Sequence, residues 1–188
     1  MATWLAMRLW PAIACLAAVV VAAAGCGGSS KTTTSTAPSP ETWANDLCSS
    51  FNSYVSSLKT VGSTITGGNV TKYSLQKAVN DAASATQTLV TDVKQLGPPA
   101  TAAGAQAKKT VDSLASQLQK DADSAKSAVA DVSGTTGLLN AISVVTGVAA
   151  TAKSQVTSTF NQLKQLSGGD ELQKAFQSAD ACKNLVPS

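Results

Sequence analysis

Residues 75–96 read LQKAVNDAASATQTLVTDVKQL, and this stretch decides the fold class. Its apolar and small residues recur at alternating steps of four and three, which places them on one face of an α-helix. These positions are Leu75, Val79, Ala82, Thr86, Leu89, Val93 and Leu96. Gly97-Pro98-Pro99 follows at once and ends the helix, because proline cannot continue it. The stretch therefore predicts a long amphipathic helix with one buried face.

The same periodicity extends in both directions along the chain. It predicts a first helix from Pro40 to the glycines at 67–68, with Ser39 as its cap. A third helix is predicted over about residues 101–132 and a fourth over about 138–166. Each carries its own apolar stripe, so each is expected to bury one face against its neighbours.

Short connections join these four helices. Residues 133–137 are predicted to form a turn, and Asp170 is expected to cap a short helix after the glycines at 168–169. Long helices with short links pack as antiparallel neighbours. We therefore predict an all-α domain over residues 40–185, an antiparallel four-helix bundle with a short fifth C-terminal helix.

The N-terminal segment has the pattern of a secretory signal. One positive charge, Arg8, precedes a 13-residue apolar run from Ala12 to Ala24, and small residues follow. This run is too short for a membrane span, so residues 1–25 are predicted to be a cleaved signal peptide.

Residues 23–26, Ala-Ala-Gly-Cys, resemble the lipobox of bacterial lipoproteins, although Ala23 stands where leucine is usual. In that family the cysteine is acylated, for example with palmitate, and the chain is cut just before it. The resemblance implies lipidation at Cys26 and a lipid anchor on the outer face of the cell membrane. Two alternatives are an ordinary cleaved signal that leaves Cys26 as a free thiol and an uncleaved anchor.

The segment 26–39 joins the predicted anchor to the helices. After Cys26 it reads GGSSKTTTSTAPS, which offers nothing to bury and is typical of a flexible tether. Its Ser, Thr and Pro content suits O-glycosylation as well as an unmodified spacer.

Cys48 and Cys182 are the two cysteines that follow the tether. An even pair in an exported chain is typical of a disulfide, and the antiparallel topology brings both to similar heights in the bundle. We predict a Cys48–Cys182 disulfide that joins the two ends of the domain; two buried free thiols are the alternative.

Composition excludes several classes of function. Beyond residue 25 the chain has 13 lysines against 11 acidic residues, with no arginine and no histidine. The charge is too mild and too dispersed for a nucleic-acid surface. No nucleophile has an evident activating partner, and the carboxylates are scattered. We expect no enzyme activity, no catalytic residues, no metal site and no cofactor.

The least ordinary stretch is Val132–Ala152, 21 residues without a charge. A helix that is apolar on more than one face is either buried or in contact with something else. Three interpretations are the most buried helix of the bundle, an apolar surface or groove at the membrane-distal end, and a transmembrane span. The span is disfavoured by the Ser, Thr, Asn and Gly content. The candidate surface for an apolar ligand or partner is formed by Leu138, Leu139, Ile142, Val144, Val145 and Val148.

Two further segments carry a resemblance. Residues 43–48, WANDLC, and residues 180–182, DAC, together with the lipobox and tether, resemble small exported lipoproteins of actinobacteria. The resemblance implies anchoring on the outer face and a helical domain, and it implies no activity.

Two functions are consistent with these features. The first is a non-enzymatic, membrane-anchored lipoprotein whose helical bundle binds an envelope protein or structures the envelope. The alternative is a carrier or binding protein for an apolar small molecule or lipid held beside Leu138, Ile142, Val145 and Val148. A tight bundle without a pocket there disfavours the carrier, whereas a cavity of several hundred Å³ favours it.

Overall fold

The computed structural model describes residues 37–166 and 168–185, and this part of the chain is helical, with no strand. The elements are α1 (Pro40–Thr66), α2 (Lys72–Gln95), α3 (Gly104–Ala130), α4 (Gly134–Lys164), α5 (Asp170–Ser178) and a closing 3₁₀ helix (Asp180–Asn184). The helices pack together, so the predicted all-α bundle is confirmed. The predicted signal peptide, Cys26 and the tether before residue 37 lie outside the described residues.

Local sequence sets the start of the first two helices. The side chain of Ser39 accepts a hydrogen bond from the backbone N–H of Thr42 (3.2 Å), and Pro40 is the first helical residue. Thr71 and Ser74 cap α2 reciprocally, since each side chain accepts from the other's backbone N–H. The chain reverses between these helices at Gly68, whose φ of 93° suits glycine.

A backbone hydrogen bond defines the two ends of the bundle. The N–H of Ala100, in the α2–α3 connection, donates to the carbonyl of Pro38 (3.0 Å). The start of α1 therefore lies with the end of α2 and the start of α3, at what we call the lower end. The end of α1 and the start of α4 lie at the upper end.

Two predicted boundaries were wrong. The segment 133–137 was predicted to be a turn, but α4 begins at Gly134. Gly137 is part of the helix, and a Cβ there would make an ordinary van der Waals contact with Cα of Val132 at 3.8 Å. Asp170 is the first residue of α5 and not its cap, which is Gly169.

The core consists of two apolar clusters. The lower cluster holds the large aromatic side chains: the ring of Phe176 lies 6.1 Å from that of Trp43 and 5.3 Å from that of Phe160, both edge-on. Phe51 belongs to the same cluster. The upper cluster is built of smaller side chains: Val61, Ile65, Leu75, Ala78, Val79, Ala125, Val129, Val132, Ala141 and Val145.

The predicted disulfide is confirmed. Cys48 of α1 and Cys182 of the 3₁₀ helix are bonded, with their Cα atoms 5.0 Å apart. The side-chain amide of Asn52 also donates to the carbonyl of Ala181 (2.6 Å), so the C-terminal elements are fixed on α1. The buried residues of both apolar clusters and the disulfide lie within residues 43–182.

Candidate functional site

The structure does not bring the six candidate residues of α4 together on one surface. Leu139 and Val144 are 61% and 45% exposed, whereas Val145 is 3% exposed and belongs to the upper cluster. Leu138, Ile142 and Val148 are half-buried against that cluster. Positions 139 and 144 lie about 140° apart around the helix axis. The first half of α4 is therefore exposed around much of its circumference.

This exposure corrects the interpretation of α4 as the most buried helix. Among the described helices, α4 is the one long and apolar enough to cross a membrane by length and composition, yet only 17% of its most apolar 18-residue window is buried. The apolar composition of α4 was as consistent with a buried helix as with an exposed one, because composition does not reveal how many neighbours a helix has. We call the first half of α4, residues 134–151, the exposed half of α4.

The interior beside Val145 and Val148 is closed. The cavity there has a volume of about 20 Å³ and is lined mainly by small and branched apolar side chains from all four long helices. That volume holds no more than about one water molecule. It is far below the several hundred Å³ that an apolar ligand requires.

The same cavity has a polar side, which the sequence did not reveal. Tyr54 of α1, Thr86 of α2 and Asp121 of α3 line it. The hydroxyls of Tyr54 and Thr86 lie 3.5 Å apart, and the Thr86 hydroxyl also donates to the carbonyl of Ala82 (2.9 Å). Nε2 of Gln155, on α4, donates to Oδ2 of Asp121 (2.9 Å). We call Tyr54, Thr86, Asp121 and Gln155 the polar cluster.

The environment of Tyr54 is mainly apolar. Burial raises the pKa of its phenol because it penalises the phenolate, and the negative charge of Asp121 raises it further. The hydrogen bond with Thr86 lowers the pKa, but by less than burial raises it. Tyr54 is therefore a neutral, partly hydrogen-bonded core residue at neutral pH and not a poised general base.

A sequence signal for the polar cluster did exist. Thr86 stood on the apolar stripe of residues 75–96, and Tyr54 stood on the stripe of the first helix. A hydroxyl on a buried face needs a partner, which made a contact between these residues a reasonable expectation. Asp121 and Gln155 lie at the edges of their stripes and offered no such signal.

Possible metal ligands are scattered over the described part of the chain. Within residues 37–166 and 168–185 no group of three or more carboxylate or thiol side chains is placed to hold a metal ion. The polar cluster contains a single carboxylate, that of Asp121.

Comparison of the chain with protein-family models, curated proteins and solved structures gives no match.

Proposed function

We propose that the protein is a non-enzymatic lipoprotein, anchored by acylated Cys26 on the outer face of the cell membrane, that binds a partner protein through the exposed half of α4. The observation that carries the proposal is the exposure of Leu139 and Val144 on a helix without a charge between Asp131 and Lys153.

An uncharged face is unusual for a helix that is exposed to water. Exposed helix faces normally carry charged residues, and the centres of protein interfaces are depleted in them. The exposed half of α4 combines the missing charge with large exposed apolar side chains. A partner with an apolar surface would remove Leu139 and Val144 from water at no cost in desolvated charge.

The exposed half of α4 and the first described residues of the chain lie at opposite ends of the bundle. The tether would enter at the lower end, beside Pro38 and Ala100, whereas the exposed half of α4 begins at the upper end. The 31 residues of α4 span about 46 Å.

The carrier alternative is not favoured at the place first considered. The cavity of about 20 Å³ beside Val145 and Val148 leaves no room for an apolar ligand between the helices.

Site-specific photocrosslinking in cells of the native kind tests the partner surface. A photoreactive residue at Leu139 is expected to give a crosslinked protein product, and the same group at Thr66, exposed at the upper end on α1, is expected to give none. Leu139→Asn with Val144→Asn should remove the product captured from a neighbouring position such as Ser143. Crosslinks only to lipid, or only to a second copy of the chain, would refute a partner protein at this surface.

Anchoring is tested separately. Wild-type protein should incorporate a labelled fatty acid and fractionate with membranes, and Cys26→Ala should do neither. Equal labelling of the two proteins would contradict lipidation at Cys26 while leaving the partner surface to its own test.

A further inference from the structure

We infer that the groove between α1 and α4 is a binding site for an amphipathic anion, a molecule with a carboxylate or phosphate head on a single acyl chain. The groove has a volume of about 400 Å³, within the range of small-molecule sites. Ligand binding here goes beyond the proposed function, since the groove involves neither Cys26 nor the exposed half of α4.

The described C-terminal elements form the lower boundary of the groove. At the lower end, α5 and the 3₁₀ helix pack against α1, where the Cys48–Cys182 disulfide and the Asn52–Ala181 hydrogen bond hold them. Asn184 and Leu185 line the groove and close its lower end. Above them, residues of α1 and α4 line the two sides of the groove.

Antiparallel helices place two lysines at the same end of this groove. Along α1 the lining residues run upward from Asn52 to Lys59, and along α4 they run downward from Lys153 to Phe160. Lys59 and Lys153 therefore both lie at the upper end of the groove. Seven residues of helix separate each lysine from the lower lining residues, which gives a floor about 10 Å long.

Two lysines give the described lining of the groove a positive charge. Among the described residues no acidic side chain lines it, and neither Lys59 nor Lys153 is in an ion pair. The groove between α1 and α2 differs, because its Lys77 is paired with Asp81. The groove between α2 and α3 contains a carboxylate, Asp112, which is paired with Lys108 beside two further lysines. Two lysines that line one groove without an acid attract an anionic head.

The remainder of the floor is mixed. Four polar residues line it, Asn52, Ser56, Thr157 and Asn184. Its apolar part is formed by Val55 and Leu185, which are half-buried, and by the edges of the buried Val156 and Phe160. An acyl chain lying below the lysines would cover this surface. A small inorganic anion would leave the apolar part of the floor in water, so the groove as a whole favours a head joined to a chain.

Calorimetric titration of the oxidised chain of residues 27–188 with decanoate and with decyl phosphate tests this site. We expect saturable binding of at least one probe, at least about tenfold tighter than hexanoate or butyl phosphate, because the longer chains cover more of the floor. Tighter binding of decanoate identifies a free fatty acid as the ligand class, and tighter binding of decyl phosphate identifies a lipid phosphate.

Matched substitutions locate the binding. Lys59→Gln and Lys153→Gln are each expected to weaken it by about three- to tenfold, as loss of one partly exposed charged hydrogen bond does. Lys109→Gln, which removes the same charge from the groove between α3 and α4, should leave it unchanged. Circular dichroism of each variant is the control for correct folding.

Three results would overturn the inference. They are no saturable binding of either long-chain probe, equal affinity for long and short probes, and equal weakening by Lys109→Gln and by the two groove substitutions.

Discussion

Nε2 of Gln155 donates a hydrogen bond to Oδ2 of Asp121 across 2.9 Å and so joins α4 to α3 in the middle of the bundle. Across the adjoining cavity, the Tyr54 and Thr86 hydroxyls are 3.5 Å apart and join α1 to α2. Each long helix thus contributes one member of the polar cluster between the two apolar clusters. A shift of any helix by one turn would separate these partners, so the polar cluster helps to define the register of an alanine-rich core.

The first prediction concerns ionisation of Tyr54. Its pKa is raised in the folded state, so the phenolate costs more there than in the unfolded chain. At low and neutral pH, Tyr54 is protonated in both states, so its ionisation does not make the free energy of unfolding depend on pH. As pH rises above the unfolded-state value of about 10 and through the higher folded-state pKa, the unfolded chain loses its proton first and the free energy of unfolding falls.

A tyrosine-specific titration checks this prediction. Tyr54 and Tyr73 are the two tyrosines of the chain, so Tyr73→Phe leaves Tyr54 as the sole phenol. Its phenolate absorbance should appear at higher pH in the folded than in the urea-unfolded protein. Tyr54→Phe should lose less stability than wild type above pH 10, which separates this effect from lysine deprotonation; coincident titration curves would contradict it.

The second prediction concerns the disulfide. It closes a loop of 134 residues, and the chain-entropy model gives a stabilisation of about 4–5 kcal/mol for a loop of this size. Replacing both cysteines by serine should lower the free energy of unfolding by about 4 kcal/mol in urea titrations. Chemical reduction of the wild-type protein is the control and should give a similar loss. A change below about 1 kcal/mol would show that Asn52 and the apolar contacts alone hold the C-terminal elements.

Periodicity predicted the helices, and the pair of cysteines together with the antiparallel topology predicted the disulfide. The stripe of residues 75–96 is buried at Leu75, Val79, Leu89 and Val93, because a 3.6-residue repeat fixes which residues share a face. The pairing of Cys48 with Cys182 followed from antiparallel topology, since helices of similar length place the two ends of the domain together.

The sequence did not predict which helices lie side by side or which of their faces remain exposed. The same periodicity fits a helix with one neighbour or with three, so the exposure of Leu139 and Val144 did not follow from it. The groove between α1 and α4 depends on where Asn184 and Leu185 pack against these helices. That position is set by tertiary packing and by the disulfide rather than by any local pattern.

The third prediction uses two glycines as a matched pair. A Cβ on Gly104, at the start of α3, would lie 2.0 Å from the carbonyl oxygen of Pro99, so Gly104→Ala must displace backbone. A Cβ on Gly147, on the exposed half of α4, would meet nothing within 4 Å. Gly147→Ala should raise the free energy of unfolding by about 0.5–1 kcal/mol, because alanine loses less backbone entropy in a helix.

Gly104→Ala should instead lower the free energy of unfolding by more than about 1 kcal/mol, as expected for a displaced core backbone. Urea titration of both variants under one set of conditions measures the contrast. A stabilising Gly104→Ala would mean that the α2–α3 connection yields easily, and that the close approach to Pro99 is not required.

The last prediction concerns Trp43, the one tryptophan that remains after the predicted signal peptide. Its side chain is fully buried against Phe176 at the lower end, and its indole N–H has no hydrogen-bond partner among the described residues. Its fluorescence should therefore be blue-shifted and resistant to acrylamide. It should also be unaffected by brominated lipids when the lipidated protein is in vesicles, whereas a tryptophan at the lipid headgroups would be quenched.

Substitutions separate the two physical contributions of Trp43. Trp43→Ala removes a large core side chain and should lower the free energy of unfolding by about 3–5 kcal/mol. Trp43→Phe loses less apolar area and also removes an unpaired buried donor, whose burial costs about 1–3 kcal/mol. Trp43→Phe should therefore be clearly less destabilising than Trp43→Ala in urea titrations. Equal losses would mean that the indole N–H is satisfied in solution and that this part of the core admits water.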